Sequence, residues 1–114
     1  MPYIYLASPY THQDPAVQRQ RYHDVTLVVA KLVGSGYIVY SPIAHFHPIS
    51  ELHSLPGDYT FWSKINTAML RGAQALHVLM LDGWKHSRGV KEEIQLATRL
   101  ELPIRYYTQE EVPA

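Results

Sequence analysis

Hydrophobic and polar positions along the chain follow two periods, and the switches between them fall at proline, glycine and capping residues. Residues 3–7 form a short apolar, β-rich run that stops at Ser8-Pro9, which predicts a buried first strand. Asp14-Pro15 then supplies an N-cap with proline at the first helical position, and Val25, Val28, Val29, Leu32 and Val33 share one helical face. Gly34 and Gly36 end that helix, and residues 37–40 resume the β pattern up to Ser41-Pro42. Within residues 59–72, Phe61, Trp62, Ile65, Met69 and Leu70 recur at helical intervals. Residues 76–81 are continuously apolar apart from His77, as expected of a strand covered on both faces, and Asp82-Gly83 terminates them. Residues 87–100 predict a helix with Val90, Ile94, Leu96, Ala97 and Leu100 available for packing, and residues 103–107 a last strand.

Strands alternating with helices predict an α/β fold: a single-domain three-layer sandwich over residues 1–114, flavodoxin/Rossmann-like, with a mostly parallel sheet of four or five strands. Residues 41–58 break the alternation. They are rich in proline and histidine and long for a connection, which marks a site loop or a partly helical segment. Parallel sheets bind ligands beyond the C-terminal ends of their strands. Ser8, Pro9 and Tyr10, residues 41–47 and residues 82–89 all fall at that edge.

Composition narrows the partners. With 114 residues, 46% of them hydrophobic, the chain is sized for one core. Ten basic and ten acidic residues cancel, so no broad positive field exists to hold polymeric nucleic acid, and a small-molecule ligand is expected. The absence of cysteine excludes a disulfide framework and thiolate metal sites. No apolar run approaches the roughly 20 residues that span a bilayer, and no secretory leader pattern is recognised, so no membrane partner and a cytoplasmic location are expected.

The stretch most suited to chemistry is residues 82–93. Ser87 is placed as a helix N-cap, where free N–H groups and the helix dipole suit an anion such as a phosphate, and Gly89 permits close approach. Glu93 lies in the second turn, where the dipole and neighbouring Lys or Arg predict an ionised carboxylate available as a nucleophile, while Glu92 points about 100° away. Asp82 ends the central strand and is a candidate acid, although Asp-Gly is equally an ordinary turn pair. Tyr5 and Tyr10 either hold a carboxylate or sugar by hydrogen bonds or pack near strand ends. His45-x-His47, with His53 and His86, invites a zinc reading. In an extended segment, however, residues two apart project to the same side, and no spacing supplies a third ligand with a supporting carboxylate. No metal is therefore expected, and His45 and His47 are assigned to the ligand pocket.

Three segments carry a family resemblance: Tyr5-Leu6-Ala7-Ser8-Pro9-Tyr10, Ser41-Pro42-Ile43, and Ser87-x-Gly89-Val90-x-x-Glu93-x-x-x-Ala97. On these the chain resembles the nucleoside 2-deoxyribosyltransferase-like family, which includes 2′-deoxynucleoside 5′-phosphate N-hydrolases, and looks closest to a small branch of it. The resemblance implies that Glu93 attacks the anomeric carbon of the sugar and that Ser87 contributes to a 5′-phosphate pocket. It also implies no cofactor and a homodimer or higher homo-oligomer. Trp84 then stacks on a nucleobase or anchors its loop. One departure bears on mechanism: Asn66 stands where the family commonly places an aspartate, and asparagine hydrogen-bonds a hydroxyl without being able to ionise or donate a proton as an acid. The expected activity is N-glycosidic cleavage of a nucleoside or nucleoside 5′-monophosphate through a glycosyl intermediate on Glu93. Release to water makes an N-hydrolase, release to a second base a deoxyribosyltransferase, and lost chemistry at Asn66 a non-catalytic nucleotide-binding module. Base, sugar and the need for a 5′-phosphate stay open at this stage.

Overall fold

The computed structural model describes residues 2–114. Four strands, β1 (Ile4–Ala7), β2 (Val39–Tyr40), β3 (Ala75–Leu79) and β4 (Ile104–Tyr107), form one sheet of order β2-β1-β3-β4 in which every pair is parallel. Among the described residues no fifth strand is formed. Helices α1 (Pro15–Gly34), α2 (Pro42–His53), α3 (Tyr59–Arg71) and α4 (Arg88–Arg99) supply the crossovers. The chain leaves β1 for one edge of the sheet and returns past it to β3 and β4. Right-handed crossovers in these two directions put helices on opposite faces and leave a switch point between the C-terminal ends of β1 and β3.

Strand alternation divides the core accordingly. Leu6, Leu79 and Tyr107 face α1 and pack with Val25, Val28 and Leu32. Tyr5, Ala7, Leu76 and Val78 face the other way and pack with Leu70 of α3 and Val90 and Ala97 of α4. The result is the three-layer α/β sandwich.

Local chemistry accounts for the element ends. Asp14 accepts a hydrogen bond from the Ala16 N–H, and Ser87 and Asp58 cap α4 and α3 in the same manner. Strand β2 is shorter than the β-like residues 37–40, because the Tyr37 N–H turns back to the Leu32 carbonyl at 3.0 Å and closes the end of α1 instead. Residues 41–58 take the partly helical alternative. Most of the expected site loop is helix α2, started by the Ser41 hydroxyl, which accepts from the Ala44 N–H, with Pro42 in the first turn. Pro48 is carried inside that helix. Among the described residues no helix is long and apolar enough to cross a membrane.

On the α1 face, His77 and the Tyr107 hydroxyl share a buried hydrogen bond of 2.8 Å. Burial, with Arg105 adding to it, pushes the imidazole down to about 4. A depressed pKa means that the unfolded chain takes up this proton first, so the stability tied to neutral His77 is complete above about pH 6.5 and is lost as pH falls toward about 4. Urea unfolding should therefore show an acid-side loss of stability in the wild type that is reduced in His77→Gln; equal acid sensitivity in the two proteins would contradict the assignment.

Candidate active site

A cavity of about 1010 Å³ opens at the C-terminal edge of the sheet. Ser8 and Tyr10 reach it from the end of β1, Phe46 and His47 from α2, Trp62 and Asn66 from α3, and Ser87, Gly89 and Glu93 from the start of α4. The switch point of the sheet is thus where these elements converge.

Glu93 is positioned by the register of α4. Val90, Glu93 and Ala97 are its buried residues, three and four apart, so the carboxylate lies on the stripe facing the sheet and is 8% exposed. Tyr5 points to the same layer from β1, and its hydroxyl donates to Glu93 Oε2. Burial pushes the Glu93 carboxyl up to about 7, and the Tyr5 hydrogen bond pulls the other way without cancelling it. The same burial and the facing carboxylate hold the Tyr5 phenol well above its usual range. These features correct the expectation of an ionised Glu93 supported by nearby cations. Lys91 is exposed, Arg88 lies 4.0 Å over the Tyr59 ring, and among the described residues Glu93 has no ion-pair partner.

Ser8 Oγ, Asn66 Oδ1 and the Tyr40 hydroxyl are buried without a hydrogen-bond partner among the described residues. Ser8 and Asn66 line the cavity. A buried polar group left unmet costs about 1–3 kcal/mol, so the pair points to a polar occupant. Tyr40, which no spacing in the sequence singled out, sets its ring edge against Tyr5 with centroids 5.5 Å apart. Its phenol is raised to about 12 by burial, with Tyr3 and Glu93 contributing.

The remaining predicted residues divide into two groups. Ser87 caps α4 by accepting from the Val90 N–H at 3.2 Å, and a side chain at Gly89 would meet nothing nearer than Ser87 Oγ at 3.9 Å, so packing does not demand that glycine. Tyr10 and His47 are joined through the Tyr10 hydroxyl and His47 Nδ1 at 2.6 Å. Pro9 is buried beside Ser8 and is not part of the lining. His45, Asp82 and Trp84 are placed elsewhere. Because α2 is a helix, His45 and His47 point about 160° apart instead of to one side; His47 is buried and His45 exposed. Asp82 is exposed outside the cavity, and its carbonyl accepts from Arg21 Nη2 at 3.1 Å. Trp84 packs into the core beside Tyr106 and lines a separate cleft of about 320 Å³ with Val90 and Ile94. Among the described residues no group of three or more His, Cys, Asp or Glu is placed to hold a metal ion.

Sequence reasoning missed the aromatic wall. Phe46 and Trp62 meet edge to face at 4.9 Å, and Trp62 is fixed by its indole N–H, which donates to the Pro56 carbonyl at 2.7 Å. The wall joins α2 to α3, so it was invisible while residues 41–58 read as a loop.

Residues 2–109 match the family described as a domain of unknown function, DUF1937, and the chain belongs to that family. No curated protein matches the chain.

The state of Glu93 has a measurable effect on folding. Its folded pKa is raised, so the stability carried by the protonated form is complete below about pH 4.5 and is lost as pH rises to about 7. Glu93→Gln keeps a neutral side chain of the same shape and should gain on the wild type across that window, by up to about 3 kcal/mol at pH 8. Chemical denaturation at pH 4 and pH 8 checks this, and a difference that does not grow with pH would refute it.

Proposed function

We propose that this member of the DUF1937 family cleaves the N-glycosidic bond of a nucleoside or nucleoside 5′-monophosphate, with Glu93 as nucleophile. The observation that carries the proposal is a buried carboxylate, oriented by Tyr5, on the wall of a cavity that also contains the unpaired Ser8 and Asn66 atoms. At about 1010 Å³ the cavity is at the upper end of the usual range for small-molecule sites and has room for a nucleotide. The aromatic Phe46–Trp62 corner offers a ring face for a base, and Ser8 and Asn66 suit sugar hydroxyls. Ser87, Gly89 and the N-terminal amides of α4 suit a 5′-phosphate.

In the reaction the Glu93 carboxylate bonds to the anomeric carbon as the carbon–nitrogen bond breaks, through an oxocarbenium-like transition state. Water then resolves the glycosyl ester in a hydrolase, and a second base resolves it in a transferase. Tyr5 fixes one carboxylate oxygen, and a carboxyl held near pH 7 is partly ionised at neutral pH, so part of the population carries the nucleophile. Asn66 favours one second reading, a module that binds a nucleotide without turning it over, because its amide supplies no acid. Pairing into a homodimer and a cytoplasmic location belong to the same proposal; a monomer by small-angle scattering at working concentration would count against the first.

Incubation with a panel of nucleosides and 5′-monophosphates, with and without a free second base, should release base from at least one substrate. Because the ionised carboxylate attacks, the acid limb of the rate at limiting substrate should rise with pH toward about 7. Glu93→Ala should reduce the rate by about 10³-fold or more while the protein still folds. Full activity in that variant would remove Glu93 from the mechanism, and tight binding without base release would favour the non-catalytic module.

A further inference from the structure

The cleavage proposed above leaves one requirement unmet. A departing base needs a proton, and the Asn66 side chain has none to give as an acid. Leading outward from the cavity wall, three side chains from two segments form a continuous hydrogen-bonded chain. The Tyr10 hydroxyl lies 2.6 Å from His47 Nδ1, and His47 Nε2 lies 3.0 Å from Glu51 Oε1. The imidazole is 6% exposed and stacks on Tyr22, with centroids 4.0 Å apart and planes 22° apart, so it is held in one orientation. Tyr10 and His47 line the cavity that contains Glu93, and the Glu51 carboxylate stands at the outer end with 57% of its side chain in solvent.

We propose that Tyr10, His47 and Glu51 form the proton relay of this site, with the Tyr10 phenol as the catalytic acid that protonates the departing base and His47 and Glu51 as positioning residues behind it. The direction of each bond follows from the chemistry of the groups. An ionised carboxylate only accepts, so Glu51 holds a proton on His47 Nε2 and leaves Nδ1 to exchange its proton with Tyr10. When the imidazole carries both protons, Nδ1–H donates to the Tyr10 oxygen and the phenol proton turns toward the cavity. When it carries one, the phenol donates to Nδ1. Burial and the Glu51 charge raise the Tyr10 phenol above its usual range, which keeps its proton in place between turnovers.

The steps balance over one cycle. As the carbon–nitrogen bond breaks, its electron pair goes to the base nitrogen, which takes the Tyr10 proton while Tyr10 takes the Nδ1 proton of His47. Glu93 meanwhile bonds to the anomeric carbon. In the second half water bonds to that carbon, and the ester electron pair returns to Glu93. The water proton passes to Tyr10, whose own proton returns to Nδ1. The chain therefore acts as acid and then as base, and the starting protonation is restored.

A relay and a purely structural tether differ in their dependence on the leaving group. A base that needs a proton is slowed when the relay is cut, whereas p-nitrophenolate departs without one. The experiment compares wild type, Tyr10→Phe and Glu51→Gln on the nucleoside or nucleotide identified by base release and on the p-nitrophenyl glycoside of the same sugar. Tyr10→Phe keeps the ring against His47 and should lose about 10²-fold or more in kcat on the natural substrate and only a few-fold on the p-nitrophenyl glycoside. Glu51→Gln, at a largely exposed position, should show the same contrast with a smaller loss. Glu93→Ala should lose both activities. Equal losses on the two substrates, or no loss in either relay variant, would overturn the relay while leaving the glycosidic cleavage standing. Absence of base release by the wild type from every nucleoside and nucleotide would overturn both.

Discussion

The interaction on which the site depends is a carboxyl group taken out of water between a sheet and a helix. Glu93 occupies a position on α4 that would ordinarily be filled by an apolar side chain, between Val90 and Ala97, and the groove it meets is formed by β1 and β3. Among the described residues an ionised carboxylate there has one hydrogen bond, from Tyr5, and no cation to offset its desolvation. The protein consequently holds Glu93 near the midpoint of its titration at neutral pH. Stability favours the protonated form and the proposed chemistry needs the ionised one, a conflict of the kind expected at a functional position rather than in a structural core.

The fold makes that conflict tolerable by arranging everything else around it. Tyr5 is itself fixed in the interior of β1, flanked by β2 and β3, with the Tyr40 ring against its edge. The hydroxyl that meets Glu93 is therefore carried by the rigid centre of the sheet, as a site held on strands and helices requires. Reversal of strand order between β1 and β3 opens the crevice above it, and α2 and α3 supply the outer wall with Phe46, Trp62 and Asn66. The Tyr10–His47–Glu51 chain ties the loop after β1 to α2 across that opening.

Much of this architecture was readable in the chain because it depends on local rules. The apolar strands, the Asp14-Pro15 start of α1 and the Ser87 cap of α4 each follow from a few consecutive residues. Helix α2 was legible only as an alternative to a loop, because Ser41-Pro42 both ends a strand and begins a helix, and a proline inside a helix, as Pro48 is, is disfavoured. The state of Glu93 was missed for a different reason. Ile94, Leu96 and Leu100 flank the true packing stripe, and only the sheet decides that α4 turns the Val90, Glu93 and Ala97 face inward. Contacts such as Tyr5 with Glu93 and Tyr10 with His47 join residues far apart in sequence and leave no spacing to detect. Asp82 and Trp84 lay close to the right edge of the sheet, but the turn after β3 carries them away from the cavity.

The central claim is that the Glu93 carboxylate forms a covalent bond to the sugar. The most direct measurement is intact-protein and peptide mass spectrometry after incubation with a nucleoside fluorinated at the sugar 2-position, which slows release of the intermediate. A mass increase of one fluorinated sugar, mapped to Glu93 and absent from Glu93→Gln, is the predicted result. Release of base from this substrate with no adduct, or an adduct mapped to another residue, would contradict it.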